Sequence, residues 1–432
     1  MGDHAGLQRR LGLPGAVVIG IGSMVGAGVF TALGLAAERA GTLLLLALAL
    51  AGVVAWINAT STAQLAAVHP TSGGAYTFGR RQLGEWAGFL AGWGFVTGKS
   101  ASIAAMAYTF ALYVVPAASS SGTDWTARWV AVAAVVLLTA VNLLGITRTV
   151  QATVAIVVPV VLILAAVIVA GFLSPGLDAG PPTPGARAPD AVVPKPEQWG
   201  VLQAAGLLFF AFAGYARIAT LGEEVRSPRR TIPRAVFGAL AFTLVLYVLL
   251  ATALQRILGV DGLATSAAPV RDAVAVLFGA DWIWLAVLGA ALASLGSMLN
   301  LVAGLSRTGL AMAREGDLPR ALATVSARTS VPWVAQVAAA AVVVLLVLLT
   351  DVLTVVGFSS FGVLVYYAVA NLAAFTLTER VVRAPRWLNL AGVVLCLVLA
   401  ATLPWVSVLV MLGVFAVGLA GRAMVVWRRG RR

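Results

Sequence analysis

The chain has 432 residues, 61% hydrophobic and 10% charged, with a mean hydropathy of +0.98, values far outside soluble usage. Solid apolar runs of about 20 residues recur along it, which points to an all-α polytopic membrane protein and excludes an alternating β-barrel. The net charge of +13 is no nucleic-acid footprint, because the basic residues follow the loops.

Alternate loops counted from the N-terminus carry Arg9, Arg10, Arg80, Arg81, Arg148 and the clusters at 226–234, 307–328, 380–386 and 422–432. The opposite loops hold Arg39, Arg128, Arg187, Lys195, Arg256 and Arg271. The positive-inside rule then places both termini in the cytoplasm. The near-exclusive use of arginine over lysine fits a high-GC bacterium, hence the cytoplasmic membrane of a bacterial cell.

Residues 1–13 read as a cytoplasmic arm lacking the apolar core and cleavage site of a signal peptide. The first span, 14–36, contains Ile19–Leu33, IGIGSMVGAGVFTAL. Each glycine costs roughly 1 kcal/mol against alanine in a helix interior. The cluster Gly20, Gly22, Gly26 and Gly28 therefore predicts backbone that opens. Non-helical backbone at membrane depth is tolerated only in a protein cavity, so Ser23–Gly28 is a candidate ligand site built of main-chain groups. The second span, 41–66, runs into a turn at His69–Arg81, HPTSGGAYTFGRR. Spans three to five are expected at 83–115, 128–146 and 150–173, followed by a proline-rich external loop at 174–198.

Five comparable spans come next, at 201–222, 236–258, 275–313, 333–350 and 352–378, and two more at 387–402 and 404–427 close the chain. The organisation is thus an arm at 1–13, a first repeat at 14–173, the loop at 174–198, a second repeat at 199–378, and a final pair of spans with a basic tail at 379–432. The sixth span is the second one with an interruption: Leu208–Glu224, LFFAFAGYARIATLGEE, has Gly214 at its centre and Arg217 just beyond. Five is odd, so the two halves enter the membrane from opposite sides. Interrupted helices at matching positions of inverted repeats point to a transporter's central site. The plainer alternative is that these glycines only permit close helix packing.

These stretches also carry a resemblance. Gly20–Phe30, Pro70–Trp93, Phe209–Val236 and Ser306–Pro319 are similar to motifs of the amino acid–polyamine–organocation (APC) superfamily, specifically its bacterial amino acid permeases. The resemblance implies a LeuT-type 5+5 inverted repeat of about 12 transmembrane helices, with helices 1 and 6 discontinuous. It implies that Val25, Gly26, Ala27 and Gly28 hold a substrate carboxylate, as freed N–H groups at a helix N-terminus can. It places the α-ammonium on the carbonyls of Phe209, Phe210 and Ala211, with Phe212 and Tyr215 as an aromatic gate.

The sequence also departs from that pattern. Many relatives have an acidic residue two places after the sixth-span glycine, where this chain has Ala216 and then Arg217. The fifth-span lysine of some proton-coupled relatives is absent from Ile156–Val161, while Lys99 stands in the third span, about 20 Å deep at ~1.5 Å per residue. An ionisable group there costs at least ~2.5 kcal/mol and is a functional candidate by default. Lys99 is read either as the coupling residue, carrying a proton or replacing a sodium ion, or as a structural lysine on carbonyls of the broken spans. Arg217 stays charged. It suits a bond to exposed carbonyls or a cytoplasmic gate with Glu223 or Glu224. Ser294, Ser297, Asn300, Ser359 and Ser360 are polar groups in apolar spans, candidates for the shell of a substrate or ion, or for helix bridging.

All acidic residues fall in loops or near span ends, which argues mildly against a specialist for cationic substrates. The faces of Phe209, Phe212 and Tyr215 can nevertheless hold cations, and Lys99 and Arg217 would favour an anionic substrate. The expected activity is transport of neutral or broad-range amino acids, proton-coupled uptake first and exchange second, with sodium coupling open. A transporter-like sensor is the rival from another class. No nucleophile–base pair, metal cluster or phosphate loop suggests an enzyme, a metal or a cofactor. The lone Cys396 excludes a disulfide and reads as a small core residue. The expected partners are the amino acid and the bilayer, not nucleic acid, with monomer and homodimer both open.

Overall fold

The computed structural model describes residues 11–26, 28–71, 73–115, 125–144, 149–174, 199–222, 224–326, 328–329 and 331–429. The arm before Leu11, the loop after Ser174, Ala27 and Glu223 lie outside the described residues. Apart from one isolated bridge between Leu11 and Val225, the regular structure described is helical. Among the described residues eight helices are long and apolar enough to cross a membrane, and the shorter apolar helices Leu13–Met24, Trp333–Leu349 and Arg386–Thr402 accompany them.

In chain order the helices are α1 (Leu13–Met24), α2 (Leu33–Ala40), α3 (Leu44–Val68), α4 (Gly74–Leu83), α5 (Glu85–Val114), α6 (Trp125–Leu143), α7 (Thr149–Leu173), α8 (Gly200–Phe212) and α9 (Ala216–Ala219). They continue with α10 (Pro228–Thr265), α11 (Pro269–Phe278), α12 (Ile283–Arg314), α13 (Trp333–Leu349), α14 (Val352–Thr376), α15 (Arg386–Thr402) and α16 (Trp405–Arg429). Two expectations need correction. The segment read as a turn at His69–Arg81 folds into α4, whose apolar residues Ala75, Tyr76 and Phe78 are buried. The span read as 275–313 is two helices, because Gly279 adopts φ 89 and ends α11 before α12 starts. L side chains rarely adopt that conformation.

The thirty-residue α5 is the axis of the bundle, packed against α14, α12, α4, α6 and α13. Small residues let it sit there. A Cβ on Gly94 would lie 2.7 Å from the carbonyl oxygen of Gly362, and one on Gly362 would lie 2.8 Å from Gly98 Cα, so α5 and α14 meet backbone to backbone. Other packings include α14 on α15, α3 on α10 and on α8, α1 on α10, α12 on α7 and α13, and α11 on α12.

A buried polar cluster joins α3, α14 and α15. Asn371 Nδ2 donates to Asn58 Oδ1 at 2.6 Å, Asn389 Nδ2 donates to Ser61 Oγ at 2.6 Å, and Cys396 Sγ donates to Asn58 Oδ1 at 3.3 Å. In an apolar medium such groups must find partners. Cys396 is thus a packed core residue, as its sequence context suggests. Many large apolar side chains on the outside, among them Leu137, Leu162, Leu345 and Val417, are exposed, the surface expected of a bundle solvated by lipid.

The two ends of the bundle differ in charge chemistry. At one end Arg128, Arg256 and Arg271 bond to the carbonyls of Leu348, Gly171 and Leu112 at the ends of α13, α7 and α5. At the other, Arg80 pairs with Glu85, Glu315 and Asp317. The buried Arg422 of α16 joins Glu85 and Asp317 there, its guanidinium lying over the rings of Trp86 and Phe89. Burial, followed by the neighbouring Asp317 charge, raises the Tyr76 hydroxyl above its ordinary pKa, and Tyr76 donates to Asp317 at 2.9 Å.

Candidate functional site

The first interruption falls between α1 and α2. Helix α1 runs through Gly20 and Gly22 without opening, so two of the four glycines serve packing. A Cβ on Gly20 would meet Ala239 at 2.9 Å, and one on Gly22 would meet Thr153 and Val157 at 2.7 and 2.8 Å. The backbone leaves the helix at Val25, where ψ is 73, and Gly26 N–H turns back to Met24 O at 2.8 Å. A wide π-type turn over Gly28–Ala32 then leads into α2. The opening N–H groups of a helical segment have no partner within it, and they sit at the positive end of its dipole. Val29 N–H reaches Gly26 O at 3.3 Å.

The second interruption is milder. Between α8 and α9 the chain tightens into a 3-10 turn at Ala213–Tyr215, and Ala213 N–H is shared by the carbonyls of Phe209 and Phe210. The two interruptions touch. A Cβ on Gly214 would clash with the Ser23 carbonyl and lie 2.6 Å from Met24 N. One on Gly28 would lie 2.6 Å from Ala211 Cα.

Carbonyls freed at both breaks are taken by side chains from neighbouring helices. Ser297 Oγ on α12 donates to Gly22 O at 3.1 Å. Tyr247 on α10 bridges the breaks, its hydroxyl 2.7 Å from Met24 O and 3.2 Å from Ala211 O. Ala213 O receives Lys99 Nζ at 3.4 Å and the Tyr367 hydroxyl at 3.3 Å. Aromatic rings close over the second break. Phe209 meets Tyr367 edge-on at 5.6 Å, Tyr215 stacks on Tyr367 at 5.2 Å, and Phe212 lies 5.1 Å from Tyr247.

The chain matches the family model described as amino acid permease over residues 11–424. It belongs to that family. This permease is 52% identical over 429 residues to an uncharacterized transporter of Mycobacterium tuberculosis, covering 99% of this chain and 94% of the relative. It is 26% identical over 449 residues to the branched-chain amino acid permease BcaP of Bacillus subtilis, covering 96% and 92%. It is 28% identical over 391 residues to a chloroplastic cationic amino acid transporter of Arabidopsis thaliana, covering 85% and 65%.

Of the residues singled out by sequence, Ser23, Val25, Gly26, Gly28, Phe209, Phe210, Ala211, Phe212, Gly214 and Tyr215 come together at the paired breaks, and all are buried. Ser23 Oγ itself turns back to Ile19 O at 2.8 Å. Lys99, 5% exposed, lies beside the second break. Arg217 donates to Thr220 Oγ1 at 2.9 Å, while Glu224 pairs with Arg307 at 3.5 Å. Helix α10 begins only at Pro228, so Arg226 lies in the segment before it. Arg226 N–H bonds Leu11 O, and Leu11 N–H bonds Glu224 O, tying the entrance of α1 to the segment after α9.

Among the remaining candidates, Ser297 touches the first break and Asn300 lines a cavity under the second. Ser359 bonds Ser102 across the α5–α14 contact at 2.6 Å. Ser294 and Ser360 are buried with no hydrogen-bond partner among the described residues. Sequence reasoning passed over Tyr247 and Tyr367. A tyrosine in an apolar span signals a hydroxyl in need of an acceptor, but nothing in the linear pattern says which carbonyl.

Proposed function

We propose that this permease is a secondary active transporter that moves neutral or broad-range amino acids across the cytoplasmic membrane by alternating access. The observation that carries the reading is the direct contact of two interrupted spans, whose main-chain groups meet at one buried point. The N–H groups opening at Gly28 would hold the carboxylate with that of Ala27, joined by those of Val25 and Gly26 when these leave Ile21 O and Met24 O. The carbonyls of Phe209–Ala211 would take the ammonium, with Phe212 and Tyr215 as a gate. Main-chain recognition of this kind leaves the side-chain pocket apolar, which suits the branched-chain substrate in the name of the B. subtilis relative.

The proposed architecture is twelve spans, with 14–173 and 199–378 as inverted five-span repeats. Its support lies in the packing. Exchanging the halves turns α3 on α8 into α10 on α1, α5 on α14 into α12 on α7, α5 on α6 into α12 on α13, and α4 on α5 into α11 on α12, and each of these contacts is made. The acid-paired arginine end is the cytoplasmic one, in keeping with the positive-inside rule. Both termini then lie in the cytoplasm.

Lys99 is assigned the coupling role, with proton-coupled uptake as the working mechanism. Its support is position, a buried amine on the carbonyl of the second break. Radiolabelled leucine uptake into proteoliposomes under imposed pH and sodium gradients tests the whole reading. A pH gradient is expected to drive accumulation, and Lys99→Ala is expected to abolish its pH dependence. Uptake driven only by counter-substrate inside the vesicle would establish exchange instead.

A further inference from the structure

Directly beneath the second break lies a narrow cavity of ≈ 30 Å³, lined on its polar side by Lys99, Arg217, Arg307, Asn300, Thr220 and Thr308. That is space for about two water molecules or one small charged group, not for a whole amino acid. Three of these residues are cationic, and no carboxylate among the described residues lines the cavity. Glu224 reaches Arg307 at 3.5 Å without joining the lining, and Arg307 is half exposed.

The inner cations are poorly satisfied. Lys99 is almost fully buried, and its one hydrogen bond among the described residues, to Ala213 O, is long at 3.4 Å. Arg217 spends one nitrogen on Thr220, and its buried Nε has no partner among the described residues. Asn300 Nδ2 donates to Gly296 O and retains a second N–H. Buried charge is tolerated when paired and hydrogen-bonded. Like charges sharing a low-dielectric space call for a counter-charge.

We infer that this cavity is an anion site serving the transport path. It rests on the permease reading and adds a ligand class to it. The anion is either the side-chain carboxylate of a dicarboxylic amino acid passing the second break or a small inorganic anion such as chloride. A cationic side chain would instead bring a fourth positive charge against Lys99, Arg217 and Arg307. Lysine and arginine are therefore poor ligands here, whatever the plant relatives carry.

The test uses the purified full-length chain in lipid nanodiscs. Its melting temperature is read with sodium L-glutamate, sodium L-aspartate, L-lysine, and sodium chloride against sodium gluconate. A ligand that binds only the folded state raises the melting temperature. Stabilisation by glutamate or aspartate, weakened about tenfold in apparent affinity by Arg217→Gln, supports the dicarboxylic source. Stabilisation by chloride alone, weakened in the same variant, supports the inorganic one. Arg307→Gln at the exposed rim provides a second variant if Arg217→Gln is unstable, with a smaller weakening expected. No response to any of these anions, or equal stabilisation by lysine, overturns the inference. Leucine uptake in proteoliposomes is scored separately. Uptake without an anion response removes the anion site and leaves the permease. An anion response without uptake of any amino acid removes the transport reading and leaves the site.

Discussion

The two interruptions that meet at the centre of this permease are built differently. The first is an opening, in which backbone leaves the helix at Val25 and re-enters through a π-type turn at Gly28. The second is a tightening, in which α8 narrows into a 3-10 turn and carries on into α9. Neither uses glycine for positive φ, since Gly20, Gly22, Gly26, Gly28 and Gly214 all lie outside the positive-φ set. They are there because no side chain fits between the spans. An opened helix frees donors and acceptors together, whereas a tightened one mainly redirects carbonyls. The carbonyls of the second break accordingly receive the donors of Lys99, Tyr247 and Tyr367.

The most severe way to break this arrangement is to add one carbon at the contact. Gly214→Ala and Gly28→Ala each push a Cβ into backbone of the opposite span, which cannot yield as a side chain would. Leucine uptake is expected to fall by roughly 10²-fold, the scale of a misplacement of about 1 Å. Gly413→Ala, with nothing within 4 Å of its Cβ, is expected to leave uptake unchanged. Equal tolerance of all three would refute the close-approach account.

A smaller loss is expected from Tyr247→Phe, which keeps the ring beside Phe212 and removes the hydroxyl that spans both breaks. Met24 O keeps the Gly26 N–H, so removing the shared hydroxyl costs about 0.5–1.5 kcal/mol, read as leucine affinity reduced up to about tenfold. Tyr367→Phe touches only the second break, whose Ala213 carbonyl retains Lys99, and is expected to cost about 1 kcal/mol or less. Should Tyr367→Phe prove the worse of the two, the two breaks would not share Tyr247 as their common tie.

The smallest effect lies outside the membrane. Burial, then the neighbouring Arg81, lowers the His69 pKa below 6.5, against an opposing pull from Glu379. The folded state then binds fewer protons than the unfolded one just below pH 6.5, so stability declines as pH falls through that value. His69→Gln is expected to flatten thermal stability between about pH 7 and 5.5 without touching leucine uptake, which separates end-of-bundle titration from coupling at the breaks. A pH dependence of uptake that vanished with His69 would argue against the role given to Lys99.

Much of this was legible in the chain itself. Apolar run length fixes a polytopic helical protein, because a bilayer leaves no other way to satisfy the backbone. Glycine clusters and the family motifs locate both interruptions to within a few residues. What the linear pattern could not supply was which glycines open the helix and which only pack, since both uses look alike until the neighbouring helix is in place. Gly20 and Gly22 proved to be packing positions, and α4 was hidden because its burial depends on partners far away in sequence. Tertiary structure alone decided that Tyr247 joins the breaks and that Lys99, Arg217 and Arg307 face one cavity. Composition and period constrain each segment's own free energy, while side-chain partners are chosen by long-range packing that no local signal encodes.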